Sequence, residues 1–259
     1  NIELADLQQA LMKTWRLPDL LVRISDDAHA EQSCVKNVLL AVRLARHTAR
    51  GWDNAALPDD VADIAASWAV VDSGGKAGVV IFTDSQYAIA VYKARAMEAV
   101  IKKCGGCTVL SFEDSPISES STRMPTLTTS LLQRFGDKWT HSLAINDLYF
   151  DFMGSSLKSA GKKGDDMPRA VSAGDGSEAA YQRIRAKNYQ SATVPGPLNM
   201  QGWQIVDELN RAFAKEKWSG YVPKVPLVTP DNGGKDGGPK NIFDPDNGYR
   251  NQYKAIWGK

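Results

Sequence analysis

The sequence predicts an α/β fold in which helices cover a parallel sheet. Two observations lead to this prediction. Short runs of apolar and β-branched residues recur along the chain, and each run is followed by a polar break and a stretch whose apolar residues have helical spacing. Strands that alternate with helices at this rhythm favour right-handed β–α–β units, and such units build parallel sheets.

The individual elements follow from these patterns in chain order. The run AGVVIF (77–82) is rich in β-branched residues and predicts a buried strand. A helix is predicted over 87–104, where Ile89, Tyr92 and Val100 share a face. The same reasoning predicts further strands over 107–112, 140–145, 168–174 and 191–195, and a polar loop over 114–125. Further helices are predicted over 126–136, 177–187 and 200–218, and one more follows the strand 140–145 and extends to Ser159.

Polar side chains follow three of the predicted strands. Asp84 and Ser85 come after the strand 77–82, Asn146 and Asp147 after SLAI, and Asp175 after AVSAG. In open parallel sheets, ligands bind outside the carboxyl ends of the strands. One such residue could equally cap the following helix. Because the same residue class recurs at three strand ends, we predict a shared binding site there.

Composition and motifs exclude several classes of function. The formal net charge of the 259-residue chain is +1, which gives no indication of a nucleic-acid or membrane-surface partner. The glycine-rich stretches lack the spacing of phosphate-binding loops, and no nucleophile elbow or zinc-ligand cluster is present. The segment 243–253 lacks the glutamate that completes a calcium loop. We therefore expect a protein without a cofactor or metal that is not an enzyme.

The cysteines Cys104 and Cys107 form a closely spaced pair, and Cys34 lies far from them in sequence. We favour a structural disulfide between Cys104 and Cys107, since two intervening glycines permit a tight turn. A disulfide would require an oxidising compartment. A reduced pair and a redox-active motif stay open as alternatives, although redox motifs normally open a helix.

Aromatic residues beside polar ones offer candidate sugar contacts. Sugar sites stack rings on aromatic faces and bond hydroxyls with Asp, Asn and Arg. Trp52 beside Asp53, and Tyr87 after the first strand, fit this pattern.

Several segments in order resemble the periplasmic sugar-binding proteins of ABC transporters, of the ribose- and galactose-binding type (type I). They are GKAGVVIFTDSQYAIAVYKARAMEAV, SLAINDLYFDFMGSSLKSAG, AVSAGDGSEAAYQRIRAKNYQSATV and GWQIVDELNRAF, and the resemblance covers roughly 60–259. It implies two Rossmann-like α/β lobes with parallel sheets, a three-segment hinge, and a sugar in the cleft between them. The lobes are expected at 1–76 with 197–221 and at 77–196 with 222–259, and the first lobe is expected to be shortened because 1–58 fits the pattern poorly.

The resemblance also implies roles for individual residues. Asn146 and Asp175 look like the family's hydroxyl-binding asparagine and aspartate. Lys93 lies near the position where relatives have a sugar-binding arginine. The sequence departs from the family there, and Lys93 is expected to contact the ligand in place of the arginine. Gly196 stands where relatives often have a polar ligand residue. Asp147 is expected to act as a helix cap or hinge contact rather than as a ligand residue.

The expected partners and location follow from the same resemblance. The protein would capture a monosaccharide or sugar alcohol as a monomer and deliver it to the membrane permease of an ABC transporter. The chain begins at Asn1 rather than Met, which fits a periplasmic protein whose signal peptide has been removed, although an expression product would look the same. The alternatives are a sensing domain of the same fold that feeds a signalling receptor, and an enzyme on a doubly wound sheet.

Overall fold

A computed structural model describes residues 56–237 and 240–258 of the chain. The chain divides into two compact units. One comprises residues 55–202 and 221–259, and the other includes Trp203–Gly220. The sheet and the predicted strand-end residues that are described lie in the first unit. The lobe boundaries expected from the resemblance stay a prediction.

The described strands form one parallel sheet with the order β2-β1-β3-β4-β5. Its centre is strongly apolar: every residue of β1 is buried, as expected for a strand covered on both faces. Since β1 lies between β2 and β3, the chain reverses its direction of winding at β1. The strands are β1 (Gly78–Thr83), β2 (Thr108–Asp114), β3 (His141–Ala144), β4 (Arg169–Ser172) and β5 (Ala192–Thr193).

Helices connect successive strands and pack in pairs. The first helix contacts the second, and the third contacts the fourth. Apolar side chains of these helices join those of the strands in one core. The helices are α1 (Ala56–Asp72), α2 (Ala88–Lys103), α3 (Ser120–Phe135), α4 (Leu148–Ser159), α5 (Glu178–Arg185), α6 (Leu198–Ala214), α7 (Gly233–Asp236) and α8 (Tyr249–Ile256), with short 3-10 turns at Ile117–Glu119 and Gly136–Lys138.

The loop predicted over 114–125 is wrong in its second half, because α3 begins at Ser120 and contains Pro125. The buried side chains of this helix are Ser120, Met124, Thr128 and Leu131. They share one face at helical spacing, but two of the four are hydroxyl residues. A pattern sought among apolar residues alone misses such a face.

Two further local features bear on the predictions. Cys104 and Cys107 are disulfide-bonded, with their Cα atoms 5.3 Å apart, directly before β2. Within the described ranges, none of the helices has the combination of length and apolar character that crossing a bilayer requires.

A buried imidazole lies at the amino ends of the strands, away from the predicted site. His141 begins β3, and its Nε2 is 3.1 Å from Asp72 Oδ2. Asp72 also pairs with Arg169, with 2.9 Å between Oδ1 and NH1. Burial lowers the pKa of His141, the contact with Asp72 opposes that shift, and the charge of Arg169 adds to it.

This environment predicts a stability that depends on pH. Because the pKa of His141 is lower in the folded protein than in the unfolded chain, the unfolded chain takes up the proton at a higher pH. The stability contributed by neutral His141 is therefore present above a pH of about 6.5 and is lost as the pH falls through the folded-state pKa. Replacing His141 by Gln should reduce the loss of unfolding free energy between about pH 7 and pH 5, because glutamine does not titrate. Urea unfolding of both proteins at each pH measures this difference, and an identical pH dependence would contradict it.

Candidate functional site at the carboxyl edge of the sheet

The polar residues predicted at the strand ends follow β1, β3 and β4, which are neighbours in the sheet. The ladder continues past the strands, since the N–H of Ile145 donates to Phe82 O and the N–H of Ala173 to Ala144 O. The loops that leave these strands therefore start side by side at one edge.

The predicted ligand residues Asn146 and Asp175 are in direct contact. The Nδ2 group of Asn146 donates a hydrogen bond to Asp175 Oδ2. The other end of the Asn146 amide accepts from the N–H of Leu148 at 2.9 Å, in the first turn of α4. This second bond fixes the orientation of the amide and leaves its N–H groups facing Asp175. The residue thus acts both as a helix cap and as one member of an exposed polar pair.

Asp175 stands at a sharp turn of the loop after β4. Its φ is +54°, in the left-handed region that Asn and Asp adopt more readily than most residues. Its side chain is exposed, whereas the glycines on either side, Gly174 and Gly176, are buried. The turn therefore projects one carboxylate outward from between two buried glycines.

Lys93 contacts the backbone close to both members of this pair. Its Nζ donates to Ile145 O at 2.9 Å and to Ala173 O at 2.5 Å, which are carbonyl groups at the ends of β3 and β4. Burial lowers the pKa of Lys93, and the carboxylates of Asp175 and Asp147 oppose that shift. The structure brings Lys93 close to the predicted site through backbone contacts.

Asp147 is buried and its carboxylate gathers donors from several segments. Oδ1 accepts from Ser172 Oγ at 2.5 Å and from Gln190 Nε2 at 2.6 Å. Oδ2 accepts from the N–H of Gly176 at 2.8 Å and of Ser177 at 3.4 Å. Burial raises the pKa of Asp147, and these donors oppose the rise.

This arrangement gives Asp147 a structural task. Asp147 makes no side-chain bond to its own helix, α4. It instead accepts from N–H groups just before α5, and so joins the loop after β3 to the loop after β4. The segment that carries Asp175 is thereby fixed at its base.

The residues after β1 are engaged with their neighbours. Asp84 is buried, and its two oxygens accept from the N–H groups of Gln86 and Ile117 at 2.9 and 2.8 Å. Ser85 donates from its N–H and its hydroxyl to Asp114, at 2.8 and 2.6 Å. These hydrogen bonds lower the pKa of Asp114. The ligand roles predicted for Asp84 and Ser85 stay predictions.

The remaining residues singled out from the sequence are Tyr87, Trp52, Asp53 and Gly196. The side chain of Tyr87 is 52% exposed at the start of α2, so its ring is available for stacking. Trp52 and Asp53 lie outside the described residues. Gly196 lies two residues before α6. In the described ranges, no group of three His, Cys, Asp or Glu side chains is placed to hold a metal ion.

Comparison with known proteins finds matches at the level of structure but not at the level of sequence. No protein-family model and no curated protein matches the sequence. Solved structures do match. A solute-binding protein of an ABC transporter from Agrobacterium vitis, bound with α-D-tagatopyranose, superposes with a TM-score of 0.61 at 12% identity, over 72% of this chain and 62% of that one.

Two other solved structures match over a similar extent. A periplasmic solute-binding protein of an ABC transporter from Actinobacillus succinogenes, with bound D-allose, gives a TM-score of 0.60 at 12% identity, over 68% of this chain and 61% of that one. A glucose-galactose binding protein from Geobacillus stearothermophilus gives 0.58 at 15% identity, over 68% and 61%. The chain thus spans about three-fifths of the length of these structures. It has the type I periplasmic binding protein fold.

The α/β fold predicted from the sequence, with a parallel sheet of this type, is confirmed. In this type I fold, the sequence reasoning missed Asp114 at the candidate site. The predicted strand ended at residue 112, whereas β2 continues to Asp114, so the carboxylate stands at a strand end like the others. The two consecutive acidic residues Glu113 and Asp114, directly after an apolar run, were the available signal.

Proposed function

We propose that this protein is a solute-binding protein that captures a monosaccharide or sugar alcohol without altering it. The observation that carries the proposal is the exposed Asn146–Asp175 pair at the carboxyl edge of the sheet. The solved structures of the same fold, whose names describe binding proteins rather than enzymes, support it.

The pair has the chemistry that a polyhydroxylated ligand requires. A carboxylate accepts two hydroxyl protons, and an amide both donates and accepts. Hydrogen bonds to an ionised group are stronger than those between neutral groups. A ligand that presents two adjacent hydroxyls could therefore bridge Asp175 and Asn146, and an analogue lacking one of them would leave a polar group unpaired.

The proposal extends to the partner and the location. The captured sugar would be delivered to the membrane permease of an ABC transporter by a monomeric periplasmic protein. The Cys104–Cys107 disulfide supports a location in an oxidising compartment, since such bonds persist outside the reducing cytosol.

A direct binding experiment tests the central claim. The purified chain is titrated by calorimetry and by thermal shift with D-tagatose, D-allose, D-galactose, D-glucose, D-ribose and the polyol ribitol. At least one should bind and raise the unfolding temperature, because a ligand that binds only the folded state stabilises it. The free sugar should be recovered unchanged. Absence of binding across the panel, or conversion of a sugar, would overturn the proposal.

A further inference from the structure

The side chain of Lys93 joins the two strand ends from which the candidate ligand residues project. Ile145 precedes Asn146 directly, and Ala173 lies two residues before Asp175. The carbonyl groups of Ile145 and Ala173 both accept from the Lys93 ammonium, at 2.9 and 2.5 Å. The Lys93 ammonium therefore bonds to the backbone one residue before Asn146 and two residues before Asp175.

The loop after β4 has a glycine, Gly174, next to the Lys93 ammonium. A Cβ atom placed on Gly174 would lie 2.8 Å from Lys93 Nζ and 2.9 Å from Ile145 O. Both distances are shorter than a carbon atom tolerates, so a side chain at this position would displace either the cation or the carbonyl. The backbone of Gly174 also has a φ of +154°, which side chains disfavour. The loop after β4 thus leaves room for Nζ at this point.

The positive charge of Lys93 also offsets negative charge from the groups around it. Two carbonyl oxygens that converge on one point carry partial negative charge, and Asp147 and Asp175 contribute carboxylates nearby. Without a cation, these groups would repel one another in a partly buried setting. Two of the three ammonium donors are used on the backbone, which commits most of the group's hydrogen-bonding capacity to the protein.

We propose that Lys93 is a positioning residue: it fixes the Asn146–Asp175 pair through the backbone of both strand ends and does not itself contact the ligand. The inference rests on the proposed function for its binding consequence. It gives Lys93 a different role from the direct sugar contact expected from the resemblance.

A double-mutant cycle distinguishes the two roles. Lys93→Met and Asp175→Asn are made singly and together, and affinity is measured for whichever of D-tagatose, D-allose or D-galactose binds the unaltered protein. If Lys93 acts through the pair, Lys93→Met should weaken binding about fivefold or more alone but less than about twofold in the Asp175→Asn background. Equal losses in both backgrounds would show an independent ligand contact and overturn the proposal, as would an unchanged affinity. Lys103→Met, on the exposed part of the same helix, is the matched control and should leave affinity unchanged.

A ligand-free measurement keeps the inference testable if no sugar binds. The side-chain amide resonance of Asn146, assigned with the Asn146→Ser variant, reports its hydrogen bond to Asp175. It should shift in Lys93→Met and stay in place in Lys103→Met. An unmoved resonance in Lys93→Met overturns the positioning role, whereas failure of every sugar to bind overturns only the proposed function.

A third measurement covers the case in which Lys93→Met does not fold. The crystal structure of the unaltered protein with its sugar should keep Lys93 Nζ on Ile145 O and Ala173 O, beyond hydrogen-bond reach of the ligand. A direct bond from Nζ to a sugar hydroxyl would overturn the inference.

Discussion

Replacing Asp175 by asparagine is expected to weaken sugar binding more than about tenfold, which corresponds to about 1.4 kcal/mol. The variant keeps the shape of the side chain and removes its charge and one acceptor, so charge-assisted bonds to hydroxyls are lost. Asparagine is the appropriate replacement because the φ of +54° at this position suits Asn as well as Asp, whereas alanine would add backbone strain. Calorimetry with the sugar that binds the unaltered protein measures the effect.

The partner residue gives a second version of the same test. Asn146→Ser keeps a short acceptor able to cap α4 and removes the amide that donates to Asp175. It should also weaken binding more than about tenfold. Asp165→Asn, an exposed aspartate in the loop before β4, serves as the control and should bind normally. If both variants at the pair bind like the unaltered protein, Asn146 and Asp175 are not the ligand residues.

Replacing Asp147 by alanine should reduce the free energy of unfolding by about 3 kcal/mol. The change removes the hydrogen bonds that the N–H of Gly176 and the side-chain amide of Gln190 donate to the carboxyl group, and leaves these donors only their contacts with Gly174 O and Ala192 O. A hydrogen bond to a charged group contributes about 1.5–3 kcal/mol. Urea unfolding measures the difference.

Two further variants isolate the cause of this loss. Asp147→Asn keeps the volume and one carbonyl acceptor but presents an amide to donors on its other side, so an intermediate loss is expected. Asp165→Ala is exposed and should change stability by less than about 0.5 kcal/mol. A loss in Asp147→Ala no larger than that of the control would mean that the buried network contributes nothing to folding.

The sequence predicted the sheet and the residues at its edge because both depend on local patterns. The run 77–82 is apolar throughout, and the observed β1 (Gly78–Thr83) is buried at every residue. Asn146 and Asp175 each follow such a run, and parallel strands place their carboxyl ends together. The contact between the two side chains then follows from the adjacency of β3 and β4.

Contacts between distant segments could not be predicted in the same way. Gln190 reaches Asp147 from 43 residues away, and Lys93 reaches Ala173 from 80 residues away. The sequence around Gln190 or Lys93 contains no local pattern that identifies the distant residue it contacts. The early start of α3 was missed for a different reason, since hydroxyl residues fill half of its buried face.

The buried carboxylate of Asp147 has a consequence for affinity. It clamps the backbone at Gly176 and Ser177 while Asp175, one residue earlier, stays exposed. The acceptor that we expect to meet the sugar is therefore already immobilised before any ligand arrives. Pre-organisation of this kind spares the complex the entropy cost of ordering a loop, so more of each hydrogen bond appears as binding free energy.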